Sequence, residues 1–421
     1  MNNKLLAYLF LMLPALLMTS CLKDQEDVFE KPASIRSAEY LENAKNVLTS
    51  AENGWVMNYY PDNLQSYGGF SYVLKFDNKT VTAYYVNGKY ELKQAGDGST
   101  VNVPVPETTT YALTNEDGPC IAFDTYSDYL HYFATPSASA YEAMGGDFIF
   151  IILNISEDKN VITLKGNRSG NLINLYRNTV TPEEYISRNR EVIDTQLYEV
   201  FVNDNVTMTL DLESQQASIT VGEESEDQAF ILTDRGLKLY QPITMAGKTF
   251  DSFAYDAANN TYTSDDNTSM VLTGTLPEGW QSYEDLAGTY SVGDHNITVK
   301  TNGDGQTYTI SGMAEGITGN ITATYKYTTG SFVLSPQYIG MYAGTYYIWL
   351  LAHSAEGGLS WDESIKFKGH NSNTEPLTIT FVASGYDTCW AGAFEEDPPT
   401  GDSYAGYWEQ YSTPMTFVRV K

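Results

Sequence analysis

Apolar residues are distributed along this chain in three ways, and each predicts a different element. From Leu5 to Leu17 they form a run of about thirteen residues, broken only by Pro14. Between Ser34 and Ala51 they recur at threes and fours, at Ile35, Ala38, Leu41, Ala44, Leu48 and Ala51. That repeat marks one face of a helix. Asn53-Gly54 follows, a pair that tolerates the left-handed backbone at a helix end. From Trp55 onward the apolar positions come in short segments, bounded by turn clusters such as Pro61-Asp62-Asn63 and Gly68-Gly69. Such segments predict strands.

A hairpin is expected from Phe70 to Val86 through Asp77-Asn78-Lys79, then strands near 111–113, 120–123, 129–133, 148–155, 161–165 and 172–176. Thr181-Pro182-Glu183-Glu184 interrupts the β pattern. It joins a capping threonine, a proline at the first helical position and a glutamate three residues past the cap, so a helix should run to about Gln196. Tyr185, Ile186, Val192 and Ile193 would be among its apolar contacts. Strands resume near 200, 206–212, 217–221, 229–232, 237–240 and 250–255. The similar hairpin spacing on either side of the helix suggests two halves of one larger assembly.

Leu276-Pro277-Glu278-Gly279-Trp280 punctuates the chain, and a domain boundary is expected there. Residues 34–280 would form a β-rich domain carrying both helices, and residues 281–421 a second β domain. The second shows strands near 297–300, 308–310, 321–327, 332–334, 346–351, 365–368, 377–382 and 415–420. Short strands with polar turns suit a small closed barrel or a sandwich. Gly385–Ser412 looks too long for a plain hairpin and reads as an irregular loop of the kind that carries function on a β scaffold. The expected fold is mainly β, two antiparallel domains of barrel or sandwich type.

Charge narrows the function. The net charge is −29, and no Lys/Arg cluster exceeds two residues, which argues against a nucleic-acid partner. Aromatics make up 13% of the chain, with 33 tyrosines, so an acidic disordered polymer is excluded as well. Beyond Cys21, only Cys120 and Cys389 remain, and both are expected to be free, buried thiols rather than a disulfide framework.

Catalytic motifs are sparse. The histidines, His131, His295, His353 and His370, lack zinc-protease spacing, and there is no Gly-x-Ser-x-Gly turn, P-loop or dinucleotide fingerprint. No metal or other cofactor and no catalytic residue is assigned. Asp265-Asp266-Asn267 and Asn302-Gly303-Asp304 offer clustered oxygens for calcium but read first as hairpin turns. Glu395-Glu396-Asp397 near Trp390 reads first as a solvated acidic loop, with sugar binding as the alternative. Flat rings stack on sugar faces, so Trp361, Trp390, Tyr404, Tyr407 and Trp408 are the candidate ligand platform, with Tyr411 nearby. Trp349, inside an apolar strand, reads as packing.

The N-terminal run, with Lys4 ahead of it, is too short to span a bilayer, which takes roughly twenty residues. It reads as a signal peptide over 1–20. Met18-Thr19-Ser20-Cys21 resembles the bacterial lipobox, although Met18 takes the aliphatic position. The resemblance implies cleavage before Cys21, acylation of that residue and anchoring in outer-membrane lipid. Residues 21–33 would be a tether, and its Lys23, Asp24, Glu26 and Asp27 resemble the acidic signal that sends Bacteroidetes lipoproteins to the cell surface.

A longer succession of segments resembles a family of Bacteroidetes lipoproteins known only as domain of unknown function 4302. It runs through Asn53-Gly54-Trp55, Gly69–Asp77, Gly118–Tyr126, Leu130–Phe133, Gly146–Phe150 and Leu232–Tyr240. The likeness covers roughly residues 30–280 and brings no catalytic residues with it. Leu286-Ala287-Gly288-Thr289-Tyr290 resembles the first strand of lipocalin-like barrels. The first resemblance implies an accessory of an outer-membrane nutrient-uptake system of the Sus type, with a transporter complex as partner and a glycan or peptide as ligand. The expectation is therefore a surface-anchored, non-enzymatic binding protein; an extracellular hydrolase and a structural adhesin or pilus-like subunit are the alternatives.

Overall fold

The computed structural model describes residues 31–420, except 95, 97, 116–117, 138–139, 266–269 and 318. Residues 1–20, expected to be a signal peptide, Cys21 and the export-signal candidates Lys23, Asp24, Glu26 and Asp27 lie outside the described residues. The fold is mainly β, with two α-helices, α1 (Ala33–Thr49) and α2 (Pro182–Thr195). Among the described residues no helix is long and apolar enough to cross a membrane. The chain divides into two compact units. Among the described residues, one takes 31–64 with 71–186, the other 65–70 with 187–420. The break expected near 280 falls inside the second unit, between its two barrels.

The first unit is a nine-stranded antiparallel sheet whose edges are Glu107–Thr110 and Ala112–Thr114. Only Tyr111 separates these two edges in the chain, so one bent segment serves both ends and the sheet wraps into a ring. Its first half pairs with Thr80–Tyr85 and its second with Cys120–Ala122. Side chains tie the seam: Thr109 Oγ1 donates to Thr125 O at 2.8 Å, and Tyr111 Oη donates to Asp77 O at 2.9 Å. The helix α1 buries Ala44, Val47 and Leu48, and the Leu48 carbonyl accepts from Trp55 Nε1 at 2.9 Å. At the start of α2, the Glu184 N–H donates to Thr181 Oγ1 at 3.2 Å, the cap expected from the sequence.

One predicted strand is absent. Residues 129–133 form turns ending in a 3₁₀ turn, Tyr132–Ala134. Their backbone bonds are local, His131 N to Ser127 O and Ala134 N to His131 O, while Tyr129, Leu130 and Phe133 are buried. Their apolarity reflects a loop packed inward rather than a ladder.

The second unit opens with an eight-stranded closed barrel from Val200–Asn203 to Val271–Thr275. Alternation builds it. Gln216–Val221 buries Ala217, Ile219 and Val221 and leaves Gln216, Ser218 and Thr220 less covered. Phe201, Phe230, Phe250, Phe253 and Tyr262 fill the interior, as suits a barrel of this strand number. The last two strands, Thr261–Ser264 and Val271–Thr275, had no clear sequence signal and are the ones that close it. The stretches on either side of α2 are therefore not matched halves. The first closes through a bent edge and the second through pairing of its first and last strands. Segment 65–70 lies along this first barrel, with Gly69 N donating to Phe230 O at 2.9 Å.

A second closed barrel follows, eight strands from Gly288–Val292 to Thr416–Arg419. Its closing register sets Tyr290 against Arg419, whose guanidinium lies 5.4 Å from the Tyr290 ring centroid and donates to Ala287 O at 2.9 Å. Inserted between its strands is a side sheet in the order Gln337–Tyr342, Tyr346–His353, Thr388–Phe394 and Tyr404–Gln410, with the short Leu359–Ser360 beside Tyr346–His353. The span 385–412 is thus chiefly a hairpin of this sheet. Two bulges, between Ala391 and Gly392 and between Ala393 and Phe394, disturb the period of two that would have announced it. The side sheet approaches the barrel closely at Gly319, where any Cβ would sit 1.7 Å from Ile339 O.

Candidate ligand-binding face

The two faces of the side sheet differ in what they touch. Ile339, Ile348, Leu350, Ala352, Cys389, Ala391 and Ala393 belong to the core of the last barrel. The residues between them point the other way. There Trp349, Leu351 and Phe394 form their own buried cluster, with Tyr347, Leu359 and Trp361 against it. An antiparallel sheet resting on a core ordinarily turns polar residues outward. This one turns rings outward.

Trp361 meets Phe394 edge to face at 5.6 Å, and Phe394 meets Tyr404 at 5.5 Å. Trp390 stacks on His353 with centroids 3.9 Å apart and planes 16° from parallel, and lies 6.2 Å from Tyr407. Tyr338 lies 6.2 Å from Tyr347 and 6.3 Å from Trp349. Tyr407 is 65% exposed and Trp349 only 8%, so the strip runs from a fixed base to open rings. The middle is flat because Gly392 lies there: a Cβ on it would come within 2.4 Å of Leu351 Cδ1.

Of the predicted platform, Trp361, Trp390, Tyr404 and Tyr407 share this face. Trp408 does not. It occupies a bulge, packs against the barrel core and Tyr342 at 4.3 Å, and donates from Nε1 to Glu315 O at 3.1 Å. Tyr411 is likewise a packing residue, its hydroxyl donating to Met313 O. Tyr338, Tyr347, His353 and Phe394 were not foreseen, while Trp349 is buried, as its packing reading expected. The available signal was Tyr346–His353 itself, apolar at both parities, which marks a strand covered on two faces.

Carboxylates border the strip. Asp397, in the connection between Thr388–Phe394 and Tyr404–Gln410, accepts from Trp349 Nε1 at 3.2 Å and so fixes that ring. Partial burial raises the Tyr338 phenol pKa, and the Asp397 charge adds to the rise. At the His353 end opens a cleft of about 800 Å³, lined by Ser354, Glu356, Leu359, Tyr386 and Asp387 among others. Leu359 also packs on the aromatic cluster, and Asp387 N donates to His353 O at 2.9 Å, so cleft and strip adjoin.

Other sequence candidates resolve into structural roles. Asp304 accepts from Gln306 N, Thr307 N, Thr307 Oγ1 and Tyr283 Oη, which hold its carboxyl far below the usual range and occupy its oxygens within its own hairpin. Asp265 pairs with Arg235 at 3.7 Å, while Asp266 and Asn267 lie outside the described residues. Cys120 and Cys389 are free and buried, and burial pushes the Cys389 thiol pKa far up. Among the described residues no group of three or more His, Cys, Asp or Glu is placed to hold a metal ion.

Residues 25–257 match the family described as Domain of unknown function (DUF4302). The chain belongs to that family. Residues 263–391 match a second family, DUF4987, also described as a domain of unknown function. No curated protein matches the chain. The DUF4302 match covers the first ring and most of the first barrel, whereas the aromatic face lies wholly beyond it. The DUF4987 match takes in Trp361 and Trp390 and ends before Tyr404 and Tyr407.

Proposed function

We propose that this protein is a lipid-anchored, outward-facing outer-membrane lipoprotein that binds a glycan on the aromatic face of its side sheet and does not turn it over. The observation that carries the binding is the two-faced side sheet, whose second apolar face is spread with partly exposed rings beside a cleft. Rings of this kind offer flat apolar surface to the C–H faces of a sugar, while the bordering carboxylates accept from its hydroxyls.

The anchor rests on sequence. Leu5–Leu17, Cys21 and the acidic residues after it support export, acylation and surface display. The Bacteroidetes likeness and the lipocalin-like start of the last barrel belong to the same reading, in which the protein serves a nutrient-uptake transporter as an accessory. A non-enzymatic role accords with the absence of a nucleophile motif from the sequence.

Retention of the protein in native gels containing soluble polysaccharides tests the binding. Trp390→Ala and Tyr407→Ala are each expected to weaken retention about tenfold or more, the loss of roughly 1.4 kcal/mol of stacking. Release of reducing ends during the same incubation would replace the binding reading with the hydrolase one. For the anchor, Cys21→Ala is expected to move the protein from the membrane fraction to the soluble one. Protease added to intact cells should cut the wild type, and full resistance while a known surface protein is cut would overturn the outward-facing assignment.

A further inference from the structure

Cations avoid the side sheet. No Lys or Arg occurs between Lys326 and Lys366, nor between Lys368 and Arg419, the two stretches that supply every strand of the sheet, its turns and the loops of the cleft. The cations at the ends of those stretches are each engaged by other partners, and Lys366 and Lys368 line a separate pocket that adjoins the cleft at Val382 and Ala383. Lys326 pairs with Glu199 at 3.0 Å, Lys368 pairs with Glu213, Lys366 donates to Ser335 Oγ and Glu363 O at 2.9 Å, and Arg419 lies over Tyr290. Carboxylates remain at both ends of the strip. Glu356 and Asp387 line the cleft, and Glu395, Glu396, Asp397 and Asp402 sit in the hairpin connection.

We propose that this face selects uncharged glycan segments and rejects anionic ones such as uronate or sulfated polymers; the proposal rests on the glycan-binding reading above. Like charges brought together at an interface cost affinity and slow encounter, and the two stretches that build this face supply no compensating Lys or Arg. A cationic ligand would satisfy the charge but fits the rings less well. Cation recognition uses ring faces closed round the charge. Here the rings meet edge to face along an open strip, and His353 already covers one face of Trp390.

The test is retention of the full chain, in detergent, on native gels cast with hydroxyethyl cellulose, xyloglucan or dextran, against carboxymethyl cellulose, polygalacturonate or dextran sulfate, at low and moderate salt. Poly-lysine in solution serves as the cationic probe. The expected result is retention by at least one uncharged polymer, lost in Trp390→Ala, with at least about tenfold weaker retention by the anionic ones at low salt, narrowing as salt screens the repulsion. The double variant Glu395→Lys with Asp402→Lys should raise the ratio of anionic to uncharged retention about tenfold. Equal retention of anionic and uncharged polymers, both lost in Trp390→Ala, would overturn the selectivity while leaving the binding reading intact. Binding of poly-lysine alone, lost in Trp390→Ala, would reassign the face to a cationic partner. No polymer retained, or retention indifferent to Trp390→Ala and Tyr407→Ala, would bring down the binding reading and the selectivity together.

Discussion

The first closed barrel and the side sheet are made of strands of similar length, yet they treat their second face in opposite ways. The barrel strand Gln216–Val221 buries every other residue and shows water Gln216, Ser218 and Thr220. The side-sheet strand Tyr346–His353 carries apolar or aromatic residues at both parities, and its neighbours add Trp390, Phe394, Tyr404 and Tyr407 to the outer face. One buried face is enough to hold an antiparallel sheet. The second set of rings therefore exceeds what folding asks of it, and Tyr407 remains largely in water. The contrast separates holding from presenting: the barrels supply stability, and the side sheet supplies a surface.

The largest effect that would test this contrast lies in the barrel. Phe230 is fully buried, and Phe230→Ala should cost about 3–5 kcal/mol, read as a lower urea midpoint. Tyr407→Ala should leave that midpoint within about 0.5 kcal/mol of the wild type while weakening glycan retention. If the two variants lose equal stability, the division of labour fails.

A middle-sized effect is expected where the side sheet meets its barrel. Gly319→Ala sets a methyl group against Ile339 O, which the neighbouring strand can escape only by moving, at about 1–3 kcal/mol. Because Ile339 and Tyr338 are adjacent, retention should weaken as well. Unaltered stability and retention would show that the junction is looser than its geometry implies.

The smallest effect concerns the barrel side of the sheet. Burial lifts the Glu409 carboxyl above its ordinary value of 4.5, while His295, 3.0 Å away, pulls it back; Glu315 and Asp294 face the same group. An acid raised in the folded state contributes stability that is present below its unfolded pKa and is lost as pH rises through the folded value. Glu409→Gln removes that titration and should flatten the fall in stability as pH rises past 4.5, by less than about 0.5 kcal/mol given the group's remaining exposure. An unchanged slope would mean the pair with His295 cancels the burial cost.

How far these features were legible beforehand depended on whether the signal was local. The Thr181-Pro182-Glu183-Glu184 cap involves one turn of chain, and it formed as read. Most of the alternating strands of the barrels were visible for the same reason, since period two needs only neighbours; Thr261–Ser264 and Val271–Thr275 were not. Residues 129–133 misled because an inward-packed loop and a short strand are equally apolar. Residues 385–412 misled in the other direction, because two bulges and Asp397-Pro398-Pro399 hide a hairpin. Rings could be counted in the sequence, but not assigned a side. Trp390 and Trp408 looked equivalent there, and a bulge places them on opposite faces.

By itself the sequence determined the β class, the two helices, the dearth of catalytic motifs and the lack of cations in the stretches around the aromatic residues. Those properties follow from composition and from spacing over a few residues. Only the tertiary structure decided that Glu107–Thr110 and Ala112–Thr114 serve as the two ends of one sheet, that each barrel closes between first and last strands, and that Trp361, Trp390, Tyr404 and Tyr407 share a face. Closure and facing depend on pairings between residues far apart in the chain, whose register is set by the packing of the whole sheet.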